Sequence, residues 1–446
     1  MNKNLYFLLH IVLIFSLQNC QVSFVTSPRK LKQLLQKDST FQNSFHGLSI
    51  YDLEKQAYIF EYQADKYFIP ASNTKLFTFF AGLKLLPAQT PALWYVSRKD
   101  SLLFWGTSNP AMLDPILRDT VAYSFLKNRK ENLYFSARNF DETYFGFGWN
   151  WGDYPYSYAA EKSVLPIYGN LIQLKAAPQE KLSVFPALFQ DSIQIKSLEK
   201  PNLWDALRAP ANNQILLTLH PQDTVLVDVP LHTSAYLAAR LLQDTLHKPV
   251  YLTHAPLSKD AQILYSFPAD SLYKAMLQPS DNFLAEHILL MAGNYLPDSL
   301  RVRGLNTQRT IDFVRRTYLK SLTHSPQWLD GSGLSRTNLF TPHSLVELLL
   351  MIYKEVAKDT QGEKRLFSLL AIGGKAGTLK NLYKKYPSFI FGKTGTLQNN
   401  HNLSGYLITK SGKKLCFSFM HNHFLTKTSA IREKMEKILT EFYLKY

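Results

Sequence analysis

Pro70-Ala71-Ser72-Asn73-Thr74-Lys75 decides how this 446-residue sequence is read. The stretch stands between an alternating, strand-like run and the strongly apolar run 76–86. Ser72 is therefore expected at or just inside a helix N-terminus. Positions i and i+3 share a helix face, which brings the Lys75 amine within reach of the Ser72 hydroxyl. A hydroxyl is a weak nucleophile until a neighbouring base takes its proton. A lysine made neutral by burial or by cationic neighbours is such a base. The N–H groups and positive dipole end of a helix start also suit a developing oxyanion. Spacing alone does not select this pair: Ser-x-x-Lys recurs at Ser27/Lys30, Ser124/Lys127, Ser197/Lys200, Ser271/Lys274 and Ser411/Lys414. A solvated helix start would read the same way.

Outward from this stretch the chain divides by pattern. Before it, residues 27–42 are expected to form a short amphipathic helix. Runs 48–51 and 57–60 read as a hairpin around the polar turn 52–56. After it, the helix should stop near Pro87. From 90 to 266 short apolar runs alternate with turn-forming clusters, which reads as a large, mainly β insertion carrying one helix near 234–244. Helical patterning returns at 271–277, 282–291 and 306–318, then at 342–357 after the glycine-punctuated loop 330–336. Strand patterning closes the chain at 389–397, 403–408 and 414–420, followed by a terminal helix from 429. The fold expected is α+β, with one antiparallel sheet built from both chain ends, helices beside it, and the insertion interrupting it.

The length calls for two or more domains. A net charge of +16 leaves nucleic acid, an anionic membrane surface or an acidic polymer as partners. The lysines are spread along the chain without a nucleic-acid motif, which argues against nucleic acid. A basic face toward an anionic envelope polymer is the functional reading, and a solubilising surface the plain one. At the N-terminus, Lys3 and the apolar run 5–17 read as a secretion signal over residues 1–20. The run is shorter than the ~20 residues a spanning helix needs. Cys20, directly behind it, resembles the lipidated first residue of a bacterial lipoprotein, although Asn19 departs from the usual small residue there. The only other cysteine, Cys416, lies in an apolar run and reads as a buried small hydrophobe. Two cysteines exclude a disulfide scaffold.

Two later motifs select Ser72 among its look-alikes. Ser280-Asp281-Asn282 is the sole Ser-x-Asn, just before a helix, and Lys393-Thr394-Gly395 the sole Lys-Thr-Gly, on a strand. With Ser72-x-x-Lys75 they form, in order, the motif set of serine β-lactamases and penicillin-binding proteins. Ser280 follows Ser72 by 208 positions, a wider separation than compact β-lactamases carry there. The chain thus resembles the class C low-molecular-mass penicillin-binding proteins, the D-alanyl-D-alanine carboxypeptidase/endopeptidases of the β-lactamase/transpeptidase superfamily. SDNFLAE at 280–286, DGSGLSR at 330–336, GTL at 377–379 and GKTGTL at 392–397 extend the resemblance, with Asp141, Trp149 and 163–170 inside the insertion.

The resemblance implies a transpeptidase-like catalytic domain over 21–89 and 267–446 and an inserted region over 90–266. It implies that Ser72 attacks the penultimate D-alanine carbonyl, or a β-lactam carbonyl, and forms an acyl-enzyme. Lys75 is then the base, Ser280 the proton donor to the leaving amine, and Asn282 the holder of Lys75 and the substrate amide. Lys393 supplies positive charge, and Thr394 and Thr396 bind the substrate carboxylate. Gly395 lets substrate approach the strand, and the N–H groups of Ser72 and Thr396 make the oxyanion hole. Asp141 is expected either to meet the amine of a diaminopimelate side chain or to be an ordinary turn residue. Asp281 reads equally as a helix cap. Ser332 reads as a turn residue, because no G-x-S-x-G surrounds it.

No metal or organic cofactor is implied. His421 and His423 alternate on a strand, which would send both rings to one face, without a third ligand. The expected partners are peptidoglycan stem peptides, with β-lactams as inhibitors and a lipid on Cys20 as an envelope anchor. The expected location is the periplasm or cell envelope. A serine β-lactamase and a non-catalytic wall-binding protein are the competing readings.

Overall fold

The computed structural model describes residues 27–301 and 303–446. The expected signal and Cys20 lie outside the described residues. Among the described residues, no helix is long and apolar enough to cross a membrane.

Six antiparallel strands form the main sheet, in the order Ala371–Ile372, Ile390–Leu397, Asn400–Ile408, Lys414–Asn422, Phe45–Asp52, Ala57–Tyr62. Alternation along the strands explains how the sheet is covered. Leu415, Phe417 and Phe419 face a core shared with the helices Pro28–Lys37 and Thr428–Lys445. Cys416 and Met420 face the opposite core, shared with Lys75–Leu85, Asn282–Ala292 and Pro342–Val356. A sheet covered on both sides reads as near-continuous apolar runs, as here. Cys416 is a free, buried thiol whose pKa is raised by burial. The early hairpin and the three late strands are found as expected, with Ala371–Ile372 as an unanticipated edge strand.

The helix Lys75–Leu85 is buried on every side over its first eight residues, and Asn282–Ala292 is buried from Phe283 onward. Helices apolar all round belong in the middle of a domain, not on its surface. The two pack against each other, and Phe79 stands edge-on to Tyr273 of the helix Ala269–Leu277 while Phe77 packs against Trp328 and Phe340. This fixes the start of each helix in a rigid setting.

The inserted region is mainly β, as expected. A five-stranded sheet runs in the order Val250–Thr253, Asn132–Ser136, Ser101–Gly106, Gln89–Arg98, Gln262–Pro268. Its first three strands pair in parallel. Gln89–Arg98 and Gln262–Pro268 pair antiparallel, so the chain leaves and rejoins the helical region at adjacent places. Two three-stranded sheets and the helices Val121–Lys127 and Ala235–Leu246 lie beside it.

Candidate active site

Ser72 sits in a single 3₁₀ turn, Ala71–Thr74, that runs into the helix beginning at Lys75. Polar residues on the helix-facing side of the sheet pin this turn. Asn73 Nδ2 donates to Ser404 Oγ at 2.9 Å, and Ile69 N donates to Asn422 Oδ1 at 2.7 Å. Asn402 Nδ2 donates to the Ile69 carbonyl at 3.0 Å. Ala71 has φ +48 and Ser280 φ +71. Left-handed backbone in residues with a Cβ costs about 1–2 kcal/mol each. Local bonds hold both residues there: Thr74 Oγ1 donates to the Ala71 carbonyl, and Lys393 Nζ donates to Ser280 Oγ.

The three motifs meet in space. Lys75 Nζ donates to Asn282 Oδ1 at 2.6 Å and to the Ser332 carbonyl at 2.7 Å, and lies 3.1 Å from Ser72 Oγ. Asn282 Nδ2 donates to the Tyr158 carbonyl at 2.9 Å, which fixes the amide so that its oxygen faces Lys75. A neutral amine has two N–H bonds and one lone pair. Two obligate acceptors take the N–H bonds, so the lone pair faces the Ser72 hydroxyl. Burial pushes the Lys75 ammonium down to about 8, against Asp281, Asp330 and Glu286, which favour its charged form. Lys75 is thus neutral in a large fraction of molecules near pH 8.

Lys393, fully buried, donates to Ser280 Oγ at 2.8 Å and to the Thr394 carbonyl at 2.7 Å. Burial, and then repulsion by Lys75, holds its pKa well below the usual lysine range. Thr394 Oγ1 donates to Thr378 Oγ1 at 2.7 Å, and Thr396 Oγ1 is 2.8 Å from His401 Nδ1. A Cβ on Gly395 would stand 2.4 Å from the Pro70 carbonyl and 3.1 Å from Ser72 N. Glycine is therefore what lets this strand lie against the nucleophile's turn.

A loop between the two helices completes the wall. Asp330 accepts from Gly333 N, Ser335 N, Trp149 Nε1 and Asn338 Nδ2. Gly333, at φ +84, would put a Cβ 1.9 Å from the Ala71 carbonyl, so this loop also needs glycine against the turn. Glu286 Oε1 accepts from Ser332 N at 2.8 Å, on the far side of the residue whose carbonyl holds Lys75. Burial, then the nearby Asp330, pushes the Glu286 carboxyl up to about 7.

Ser72, Lys75, Ser280, Asn282, Lys393, Thr394, Gly395 and Thr396 therefore lie in one connected region. Asp141 does not join them. Its carboxylate, 62% exposed, accepts from Arg309 Nη2 at 2.7 Å, and its backbone N–H donates to the Leu305 carbonyl. The cationic start of the helix Thr307–Tyr318 has claimed it. From the insertion it is Trp149 and the Tyr158 carbonyl that reach the site. Asp281 is a helix cap, accepting from Leu284 N at 2.8 Å. His421 and His423 do not share a strand face. The strand ends at Asn422, and His423, at φ +58, is exposed against Phe45 while His421 is buried. No group of three metal-ligating side chains occurs among the described residues.

Sequence reasoning did not foresee the Ser332 and Tyr158 carbonyls, Glu286, Thr378 or His401. Backbone acceptors carry no residue-type signature. For Glu286 and Thr378 the signal was membership of the SDNFLAE and GTL stretches.

A family model described as the D-Ala-D-Ala carboxypeptidase 3 (S13) family matches residues 28–442. The chain belongs to that family. Among relatives, D-alanyl-D-alanine carboxypeptidase DacB of Haemophilus influenzae is 27% identical over 212 residues, 44% of this chain and 42% of that protein. Penicillin-sensitive carboxypeptidase A of Dictyostelium discoideum is 27% identical over 179 residues, 38% of this chain and 33% of that protein. The aligned part is less than half the length of each of these relatives. The crystal structure of penicillin binding protein 4 from Haemophilus influenzae matches with a TM-score of 0.73 at 22% identity, covering 94% of this chain and 99% of that one. That likeness carries the fold: α+β, with a large β insertion. The family match agrees with the resemblance carried by the three motifs.

Proposed function

We propose that this S13-family protein is an exported serine DD-peptidase that hydrolyses D-Ala-D-Ala ends or D-Ala cross-links of peptidoglycan through an acyl-enzyme on Ser72. The observation that carries the reading is the hydrogen bonding of Lys75, whose two N–H bonds are committed to Asn282 and Ser332 while its third position faces Ser72 Oγ.

The chemistry follows from that arrangement. Ser72 Oγ attacks the carbonyl carbon of the penultimate D-alanine as its proton passes to Lys75 Nζ. The carbonyl oxygen, now an oxyanion, is met by the N–H groups of Ser72 and Thr396. The C–N bond breaks as the leaving amine takes that proton from Lys75 by way of Ser280 Oγ, which is hydrogen-bonded to Lys393, leaving Lys75 neutral again. Water then attacks the ester carbonyl as Lys75 takes its proton, and the same proton passes to Ser72 Oγ as the acyl C–O bond breaks and the carboxylic acid product leaves. Thr396 and Lys393 receive the substrate carboxylate, and Thr394 joins them by turning its hydroxyl proton from Thr378 to the carboxylate, whose negative charge favours the protonated form of Lys393. Every step uses groups of this chain and water.

The catalytic domain in this reading comprises 21–89 and 267–446, with 90–266 inserted. Residues 1–20 act as the export signal, with Cys20 as a lipid attachment point. Support for β-lactams as inhibitors comes from the relatives: Haemophilus penicillin binding protein 4 has been solved with a bound β-lactam.

Digestion of purified cross-linked and uncross-linked muropeptides, with products identified by mass, tests the reading. Loss of a terminal D-alanine, or conversion of dimers to monomers, is expected, and neither should occur with Ser72→Ala. Rapid turnover of penicillin with no muropeptide cleavage would instead identify a β-lactamase.

A further inference from the structure

His401 is a buried residue that the reaction just described does not use. It stands on the strand Asn400–Ile408 directly opposite Thr396. Directly opposed residues project from the same sheet face and touch, and here Thr396 Oγ1 and His401 Nδ1 are 2.8 Å apart. Thr396 is exposed at the end of its strand, whereas His401 is 97% covered. Beyond it the row continues with His421, opposite His401, and His46, opposite His421. Burial, and then the Arg432 guanidinium, pushes the His401 pKa down to about 3, so its ring is neutral at physiological pH.

A threonine hydroxyl has one proton. A carboxylate has only acceptors, so Thr396 can bind one only by donating that proton outward. The imidazole nitrogen 2.8 Å behind it must then be the donor, as Nδ1–H. In the other tautomer Thr396 donates to Nδ1 and turns its lone pairs toward the incoming carboxylate. A neutral imidazole carries a proton on one nitrogen only, so the choice is binary.

We propose that His401 is a positioning residue for substrate carboxylate recognition: as the Nδ1–H tautomer it donates to Thr396 Oγ1 and directs the Thr396 proton at the substrate. The inference deepens the DD-peptidase reading and rests on it.

The test uses the full protein and two matched depsipeptides, one ending in D-lactate and one in its amide, with the reactive ester bond keeping both measurable. His401→Phe keeps a flat, buried ring without a donor. Its kcat/KM on the carboxylate substrate should fall about 10- to 100-fold, carried mainly by KM, as expected for losing a hydrogen bond to a charged group. On the amide it should stay within about twofold of wild type. His401→Asn, whose side-chain amide can donate from near the Nδ1 position, should recover most of the loss. Equal losses on both substrates, no loss on either, or failure of Asn to recover more than Phe would each overturn the positioning role while leaving the peptidase reading intact. A wild-type protein that hydrolyses neither substrate and takes up no penicillin would overturn both.

Discussion

The space where a Gly395 side chain would begin is occupied by the Pro70 carbonyl oxygen, 2.4 Å from an ideal Cβ. Two segments over three hundred residues apart are thus in backbone contact, and the contact joins the substrate-side strand to the turn that carries Ser72. Gly395→Ala must push strand and turn apart by several tenths of an ångström at least. Displacements of this kind at a reacting centre cost on the order of 100-fold in rate. The expected outcome is a comparable fall in kcat/KM on a D-Ala-D-Ala peptide, with the far-ultraviolet circular dichroism of wild type. Activity within about threefold of wild type would show that the contact is not needed.

The charge state of Lys75 sets the pH dependence of acylation. With the folded pKa near 8, the neutral base accumulates as pH rises through that value. The second-order rate of penicillin acylation should rise through pH 8 and then level off. Lys75→Met should lower it by about 10²- to 10⁴-fold, the usual range for a general base. A flat profile between pH 6 and 9 would contradict the assignment.

Much of this site was legible in the sequence because its parts are carried by side-chain identity. Ser72, Lys75, Ser280, Asn282 and Lys393 lie on elements whose starts were marked by apolar runs and turn residues. The alternation over 415–420 gave the buried sheet its two faces. What escaped has no such marker. Ala371–Ile372 is a two-residue strand, too short for any period to register. The carbonyls of Ser332 and Tyr158 belong to no residue type, and Asp141, which reads equally as a substrate contact or a turn residue, has its partner Arg309 168 residues away. The Thr396–His401 pair required the register of two strands, which a tight turn sets and a propensity pattern does not.

Four buried histidines make stability depend on pH. Burial holds His46 and His287 at about 4 and His401 and His421 at about 3, against 6.5 for an ordinary histidine. Between these values and 6.5 the unfolded chain binds more protons than the folded one, so stability is full above 6.5 and falls on acidification. Each contributes up to about 2 kcal/mol of loss between pH 7 and pH 5. Glu286, raised to about 7, works in the opposite direction and offsets one of them. The urea midpoint should be lower at pH 5 than at pH 7, and an equal or higher midpoint would contradict the account.

Peptide mapping by mass spectrometry after brief incubation with benzylpenicillin tests the central claim most directly. The account predicts one penicilloyl group per chain, located on Ser72 and absent from Ser72→Ala. An adduct on another residue, on Ser332 for example, or an unmodified chain, would contradict it.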